Sequence, residues 1–200
     1  TKMIIINTPH NPTGTILKSD DLLQLSRIVK DTNIIILSDE VYERIIFDDI
    51  KHQGVLHYPA LAERSIAVFS FGKTFHATGW KVGYVVAPAH LTEEVRKAHQ
   101  FIVFSVNTPI QLALAEYLQN PEHYLSLGKF YQQKRDFFLT QIKGSSFEPM
   151  ACHGSYFQVL SYRHIADKPD VAMAEELTKK FKVASIPFSV FYQDKSDNRL

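Results

Sequence analysis

Lys73 lies in the stretch Ser70-Phe71-Gly72-Lys73-Thr74-Phe75, just after the apolar run Ile66 to Phe69, and the acidic residues nearest to it in sequence are Glu63 and Glu93. A lysine on a solvated face usually has carboxylates close by in the chain; this one has hydroxyls and glycines. Its amine is of the type that condenses with a carbonyl or neutralises an anion. Two other apolar runs also end in polar groups. Met3 to Ile6 leads into Asn7-Thr8-Pro9-His10-Asn11-Pro12-Thr13-Gly14, and Ile34 to Leu37 leads into Ser38-Asp39-Glu40-Val41-Tyr42. A second lysine, Lys81, follows the first within Thr78-Gly79-Trp80-Lys81. Asn11, Asp39, Tyr42, Ser70, Lys73 and Lys81 thus offer an amide, a carboxylate, a phenol, a hydroxyl and two amines.

The elements that must position these groups are short. The three runs are rich in β-branched and aromatic residues, as suits central strands covered on both faces. Between the first two, Ser19, Asp20 and Asp21 precede Leu22, Leu23, Leu25, Ile28 and Val29, a serine cap and acidic first turn ahead of a helical apolar spacing. Strand, helix and strand with short connections make a βαβ unit, which requires parallel strands and a right-handed crossover. In such a sheet the carboxyl ends of the strands line one crevice, so the six residues are expected to converge there. Val82 to Ala87 reads as a fourth strand. Beyond it, Thr92 to Phe104, Pro109 to Gln119 and Glu122 to Ile142 have helical spacing, with breaks at Thr108-Pro109 and Asn120-Pro121. Ser155 to Leu160 and Val183 to Ile186 read as strands around a helix at Val171 to Phe181. The expected fold is α/β, a mostly parallel sheet with helices on both faces, followed by part of a small α+β C-terminal domain. The division is placed at 1–125 and 126–200.

The ligand that needs this donor set is pyridoxal 5'-phosphate. It takes an amine on its aldehyde, a carboxylate at its ring nitrogen, donors at its phenolic oxygen and cationic or hydroxyl partners at its phosphate. Lys73 and Asp39 suit the first two, Asn11 and Tyr42 the third, and Ser70 and Lys81 the phosphate. With these motifs in order, each after a strand, the chain resembles the class I/II aminotransferases of the fold type I pyridoxal-phosphate family. The form Phe71-Gly72-Lys73-Thr74-Phe75, then Ala77-Thr78-Gly79-Trp80-Lys81 and Gly83, is similar to the methionine, kynurenine and glutamine-type transaminases. The resemblance implies that Lys73 forms the Schiff base and moves the substrate Cα proton, that Asp39 pairs with the ring nitrogen, and that Tyr42 belongs to the catalytic set. It implies amino acid and 2-oxo acid substrates and a homodimer. It also implies segments on either side, carrying a glycine-rich phosphate turn, a ring-stacking aromatic and a carboxylate-binding arginine expected past Leu200 and distinct from Arg199. A pyridoxal-phosphate-dependent carbon–sulfur β-lyase and a non-catalytic regulatory module that binds the same cofactor are the alternatives.

Composition bounds the rest. The 200 residues are 45% hydrophobic and 22% charged, and 22 Lys and Arg against 21 Asp and Glu leave a net charge of +1, with no electrostatic argument for nucleic acid or an anionic membrane. A single cysteine, Cys152, permits no internal disulfide and fits a cytoplasmic location. Nine scattered histidines show no metal-ligand spacing, and no apolar stretch reaches bilayer length. Each site residue taken alone has a plainer reading. Asn11-Pro12-Thr13-Gly14 is a turn sequence, Asp39 a helix cap, Tyr42 a packing residue, Lys81 a strand flank. Trp80, Phe71 and Phe75 read as packing, His10 and His76 as polar neighbours of the cavity, and Cys152 as a buried thiol beside His153.

Overall fold

The computed structural model describes residues 1–194, 197, 199 and 200. A four-stranded sheet runs in the order β1 (Met3–Asn7), β2 (Ile35–Asp39), β3 (Ser65–Ser70) and β4 (Gly83–Val86). β1, β2 and β3 are parallel, and β4 joins antiparallel with Ser70 opposite Gly83. The parallel expectation therefore holds for three strands and the sheet is mixed. The β3–β4 connection, residues 71–82, turns the chain back beside β3 and does not cross over the sheet. It folds through α3 (Phe71–Thr74) and a 3₁₀ turn at Thr78–Trp80. β1 and β2 are linked by α1 (Ser19–Val29), and α2 (Pro59–Ala62) precedes β3. Ser19 opens the first turn of α1; the cap position is Lys18, whose N–H is accepted by the Asp21 carboxylate at 2.7 Å.

Alternation along the strands sorts the side chains. Ile4, Ile6, Ile36 and Ala67 face α1 and pack with Leu22, Val29, Val55 and Leu61. Ile36, Leu22 and Leu61 are fully buried, each contributing about 1.5–3 kcal/mol. Met3, Ile5, Asn7, Leu37, Asp39, Val68 and Ser70 point to the opposite face. There Ile5 remains 69% exposed and Met3 43%. α1 covers one face, and on the other Met3 and Ile5 of the edge strand β1 leave apolar side chains in solvent while Leu37 and Val68 are half-buried.

The second half is helical. α4 (Ala89–Ile102) and α5 (Thr108–Tyr117) come first, the latter capped by Asn107 accepting the Ile110 N–H at 3.1 Å. The single helix expected over Glu122 to Ile142 is split at Ser126 into α6 (Glu122–Leu125) and α7 (Leu127–Gln141). Leu127 and Tyr131 of α7 pack against a second core built on Tyr42, Ile45, Phe47 and Cys152. Arg135 clamps that junction, bidentate on Asp48 at 2.6 and 2.7 Å with its guanidinium over the Phe47 ring. A third core gathers Tyr162, Met173, Ala174 and Leu200 around α8 (Asp170–Glu176). The strand expected over Ser155 to Leu160 is not formed. Ser155 has φ of +65°, which breaks extended geometry, and Leu160–Ser161 alone forms β6, paired with β5 (Glu148–Pro149). Val183 to Ile186 is likewise not a strand: the helix before it ends at Lys182 in a left-handed conformation, the Val183 N–H turns back to the Leu177 carbonyl, and the chain runs on to Pro187 outside the sheets.

Candidate active site

Asn7, Asp39 and Ser70 end the three parallel strands on one face, so the polar groups begin where the ladder stops. Past β1, the loop is held by Asn7: its Oδ1 accepts the Asn11 N–H at 2.8 Å and its Nδ2 donates to the Asp39 carbonyl at 3.0 Å. This turns Asn11 back toward β2, where its Nδ2 reaches the Tyr42 hydroxyl at 3.5 Å. Past β2 the chain forms a turn, not a helix, so Asp39 caps no helix; its Oδ1 accepts the Val41 N–H at 3.3 Å. Past β3, Gly72 packs under Thr78, where a Cβ would come to 2.9 Å of the Thr78 Cα, and one residue later Lys73 projects its amine.

Three of the predicted residues meet. The Lys73 Nζ donates to the Tyr156 hydroxyl at 3.1 Å, and the Tyr42 hydroxyl donates to the same oxygen at 3.3 Å, while Asn11 reaches Tyr42 from the other side. The amine also lies 5.4 Å from the Tyr42 ring centroid and 5.7 Å from that of Tyr156, a distance at which a cation is attracted by the ring faces. Burial, then the Tyr156 hydroxyl and the Asp39 charge, push the Tyr42 phenol well above its usual range. Tyr42 is therefore a hydrogen-bond donor at neutral pH, and Asp39 lies within electrostatic reach of it without a direct bond.

Ser70 and Lys81 stand apart from that cluster. The pairing of Ser70 with Gly83 sets Lys81 just beyond the end of β3, in a left-handed conformation (φ +55°) with an exposed side chain. Neither side chain hydrogen-bonds Asn11, Tyr42 or Lys73. The neighbouring residues resolve more simply. His10 is bonded to Thr13 at 2.7 Å and His76 to Tyr131 at 3.1 Å. Cys152 donates to the carbonyls of Gly154 and Phe157, not to His153, and burial pushes its thiol up. Phe71 and Phe75 pack as expected, 6.0 Å apart and near parallel, but Trp80 is half exposed. Arg199 is held by Asp197 and by the Tyr192 hydroxyl. Among the described residues no cluster of three or more His, Cys, Asp or Glu could hold a metal ion.

Tyr156 is the member of the cluster that sequence reasoning missed. The signal available was weak: Gly154-Ser155 before an aromatic pair, inside a stretch that reads as a strand. The donor chemistry of the cluster fits pyridoxal phosphate: an amine beside a phenol and an amide, a carboxylate at the next strand end with one oxygen accepting from Val41, and a hydroxyl and a lysine amine at the end of β3.

Comparison with known proteins follows the same lines. The family model for aminotransferase class I and II matches residues 1–200. The methionine aminotransferase of Escherichia coli is 47% identical over all of this chain and 52% of its own length. The kynurenine–oxoglutarate transaminase of Dictyostelium discoideum is 34% identical over 97% of this chain and 49% of its own. Among solved structures, that of an E. coli protein identified as a methionine aminotransferase superposes with a TM-score of 0.96 at 47% identity, covering 100% of this chain and 54% of the other. An aromatic aminotransferase from Pyrococcus horikoshii gives 0.89 at 29% identity, with 100% and 54% covered. The chain spans about half the length of the curated relatives it matches.

Proposed function

Because the chain belongs to the class I and II aminotransferases of the fold type I pyridoxal-phosphate family, we propose that the protein it represents moves an amino group from an amino acid, methionine or an aromatic one, to a 2-oxo acid. The observation that carries this reading is the hydrogen-bonded meeting of Lys73, Tyr42 and Asn11 through Tyr156 at the carboxyl ends of parallel strands. The choice of methionine or aromatic substrates leans on the named activities of the relatives.

Pyridoxal phosphate, when bound, supplies the electron sink that lets the substrate Cα give up its proton. The chain's own residues do the rest. Lys73 would hold the cofactor's aldehyde carbon through Nζ and, with substrate in its place, would take the substrate Cα proton on Nζ and hand it to that former aldehyde carbon; positioned acid–base catalysis of this kind contributes on the order of 10²–10⁴-fold. Asp39 presents its carboxylate to the protonated ring nitrogen. Tyr42, kept protonated and steadied by Asn11, donates to the phenolic oxygen. Ser70 and Lys81 hold the phosphate by hydrogen bond and charge. Residues 1–125 form part of the cofactor-binding domain and 126–200 part of a small domain. The intact protein works as a homodimer in the cytoplasm; in support of the pairing, Phe101, Ile102 and Phe104 are more than three-quarters exposed at the end of α4.

The test uses the full-length protein. Adding pyridoxal phosphate gives an absorbance band near the visible edge, and Lys73→Ala abolishes it. Methionine then converts to its 2-oxo acid beyond one equivalent per site only when an acceptor oxo acid is present. Ammonia released without acceptor from an S-substituted cysteine, whose sulfur leaves from Cβ, would replace the reading by a β-lyase, and a band without turnover by a binding module.

A further inference from the structure

Tyr156 reaches the lysine from a part of the chain 83 residues away, and the backbone that carries it is stitched down on two sides. His153 N–H and Gly154 N–H both donate to the Gly14 carbonyl, at 2.9 and 3.2 Å. Phe47 N–H donates to the His153 carbonyl at 3.0 Å, and Ser155 N–H to the Ile45 carbonyl at 2.9 Å. Gly14 closes the Asn11-Pro12-Thr13-Gly14 turn and Ile45 follows Tyr42, so the segment 153–155 bridges the two loops that carry site residues. Gly154 admits this approach, since a Cβ there would lie 2.8 Å from both the Ile45 carbonyl oxygen and Pro9. The left-handed, fully buried Ser155 then turns the chain so that the next side chain leaves it over the site. The Tyr156 ring stands edge-on to Tyr42 at 5.2 Å and leans on Phe157 at 4.8 Å. Its hydroxyl accepts from both Lys73 and Tyr42.

We propose that Tyr156 is a positioning residue for Lys73: its phenolic oxygen ties down the lysine amine beside the Tyr42 hydroxyl, so that presentation of the amine to a carbonyl compound depends on the segment 153–156. A backbone held by four hydrogen bonds and a buried left-handed serine is a rigid mount, and only a rigid mount can fix the free end of a four-carbon side chain. The inference rests on the proposed role of Lys73, but part of its test does not.

The experiment compares the wild-type protein with Tyr156→Phe, which keeps the ring packing and removes only the hydroxyl; far-ultraviolet circular dichroism and the thermal midpoint check the fold. The readout free of cofactor is the rate at which trinitrobenzenesulfonate arylates Lys73, followed by peptide mass spectrometry with Lys97 as an exposed internal reference. An amine released from its hydrogen bond swings out more often, and labelling of Lys73 is expected to rise roughly 3- to 10-fold, the range a net hydrogen bond of this type gives. In the loaded protein, the pH dependence of the lysine–cofactor absorbance band is expected to be displaced, which a merely structural role would not do. Tyr156→Gln, which restores an acceptor without a ring, is expected to return labelling toward the wild-type rate, and should the phenylalanine variant not fold, Tyr156→Leu, which also lacks an acceptor, takes its place with the same rise expected. Equal labelling in wild type and both variants, with an unmoved band, would overturn the inference. A wild type that forms no band but shows the labelling difference would instead overturn the cofactor reading and leave the tie between Tyr156 and Lys73 standing.

Discussion

Glu40 sits one residue after Asp39, 2% exposed, with every oxygen engaged: Oε1 accepts from the Ser38 hydroxyl at 2.8 Å and the Val55 N–H at 3.0 Å, and Oε2 lies 2.6 Å from His52 Nε2. Burial on its own raises this carboxyl, but the His52 bond and charge, the Ser38 hydroxyl and the Val55 amide together hold it below its usual value of 4.5. A carboxylate depressed in the folded state contributes stability that is complete above that usual value and is lost as pH falls through the lower folded one. Glu40→Gln leaves a partnered histidine and an amide poorly served, and is expected to cost about 2–4 kcal/mol in urea unfolding near neutral pH. Below pH 4.5 the gap between variant and wild type is expected to narrow; a gap constant down to the acid transition would refute the assignment. Among single residues the sequence was readable where polar groups follow a strand, which is why the meeting of Lys73, Asn11 and Tyr42 could be expected. It was silent on the Tyr156–Lys73 and His52–Glu40 pairs, because each is brought together by loops joining residues 83 and 12 apart in the chain.

Elements with strong local signals formed as expected: β1, α1, β2 and β3 each carry a periodic apolar pattern and a clear end. The strand expected over Ser155 to Leu160 did not, since the left-handed Ser155 and the backbone bonds of His153 and Gly154 to Gly14 and of Ser155 to Ile45 impose a bridge. Local propensity lost to tertiary hydrogen bonding. Two glycines make the distinction measurable. At Gly154 a Cβ meets the Ile45 carbonyl and Pro9 at 2.8 Å, so Gly154→Ala is expected to destabilise by roughly 1–3 kcal/mol and to loosen the bridge. At Gly79, within the Thr78-Gly79-Trp80-Lys81 motif, nothing lies within 4 Å, and Gly79→Ala is expected to stay within about 0.5 kcal/mol of wild type. Thermal or urea unfolding of both decides it, and equal losses would mean that the close approach at Gly154 is not what holds the segment.

For the molecule as a whole, the α/β class was legible because hydrophobic runs and helix patterning alternate, but the covering of the sheet was not, since that depends on what packs against it. The α1 face is dry, with Ile36 fully buried, whereas Ile5 on the opposite face is 69% exposed beside Met3. The curated relatives are about twice as long as this chain, and a polypeptide of that length would have further residues to set against the open face. The two faces should then respond differently to one kind of substitution. In the 200-residue chain, Ile36→Ala is expected to cost about 2–5 kcal/mol through lost burial and a cavity, and Ile5→Ala less than about 0.5 kcal/mol. In the full-length protein Ile36→Ala is expected to cost the same, while the cost of Ile5→Ala rises to about 2 kcal/mol or more as its side chain leaves water. Urea unfolding of the four variants measures this directly. An Ile5→Ala cost that stays negligible at full length would mean that this face remains in solvent and that the sheet carries its helices on one side.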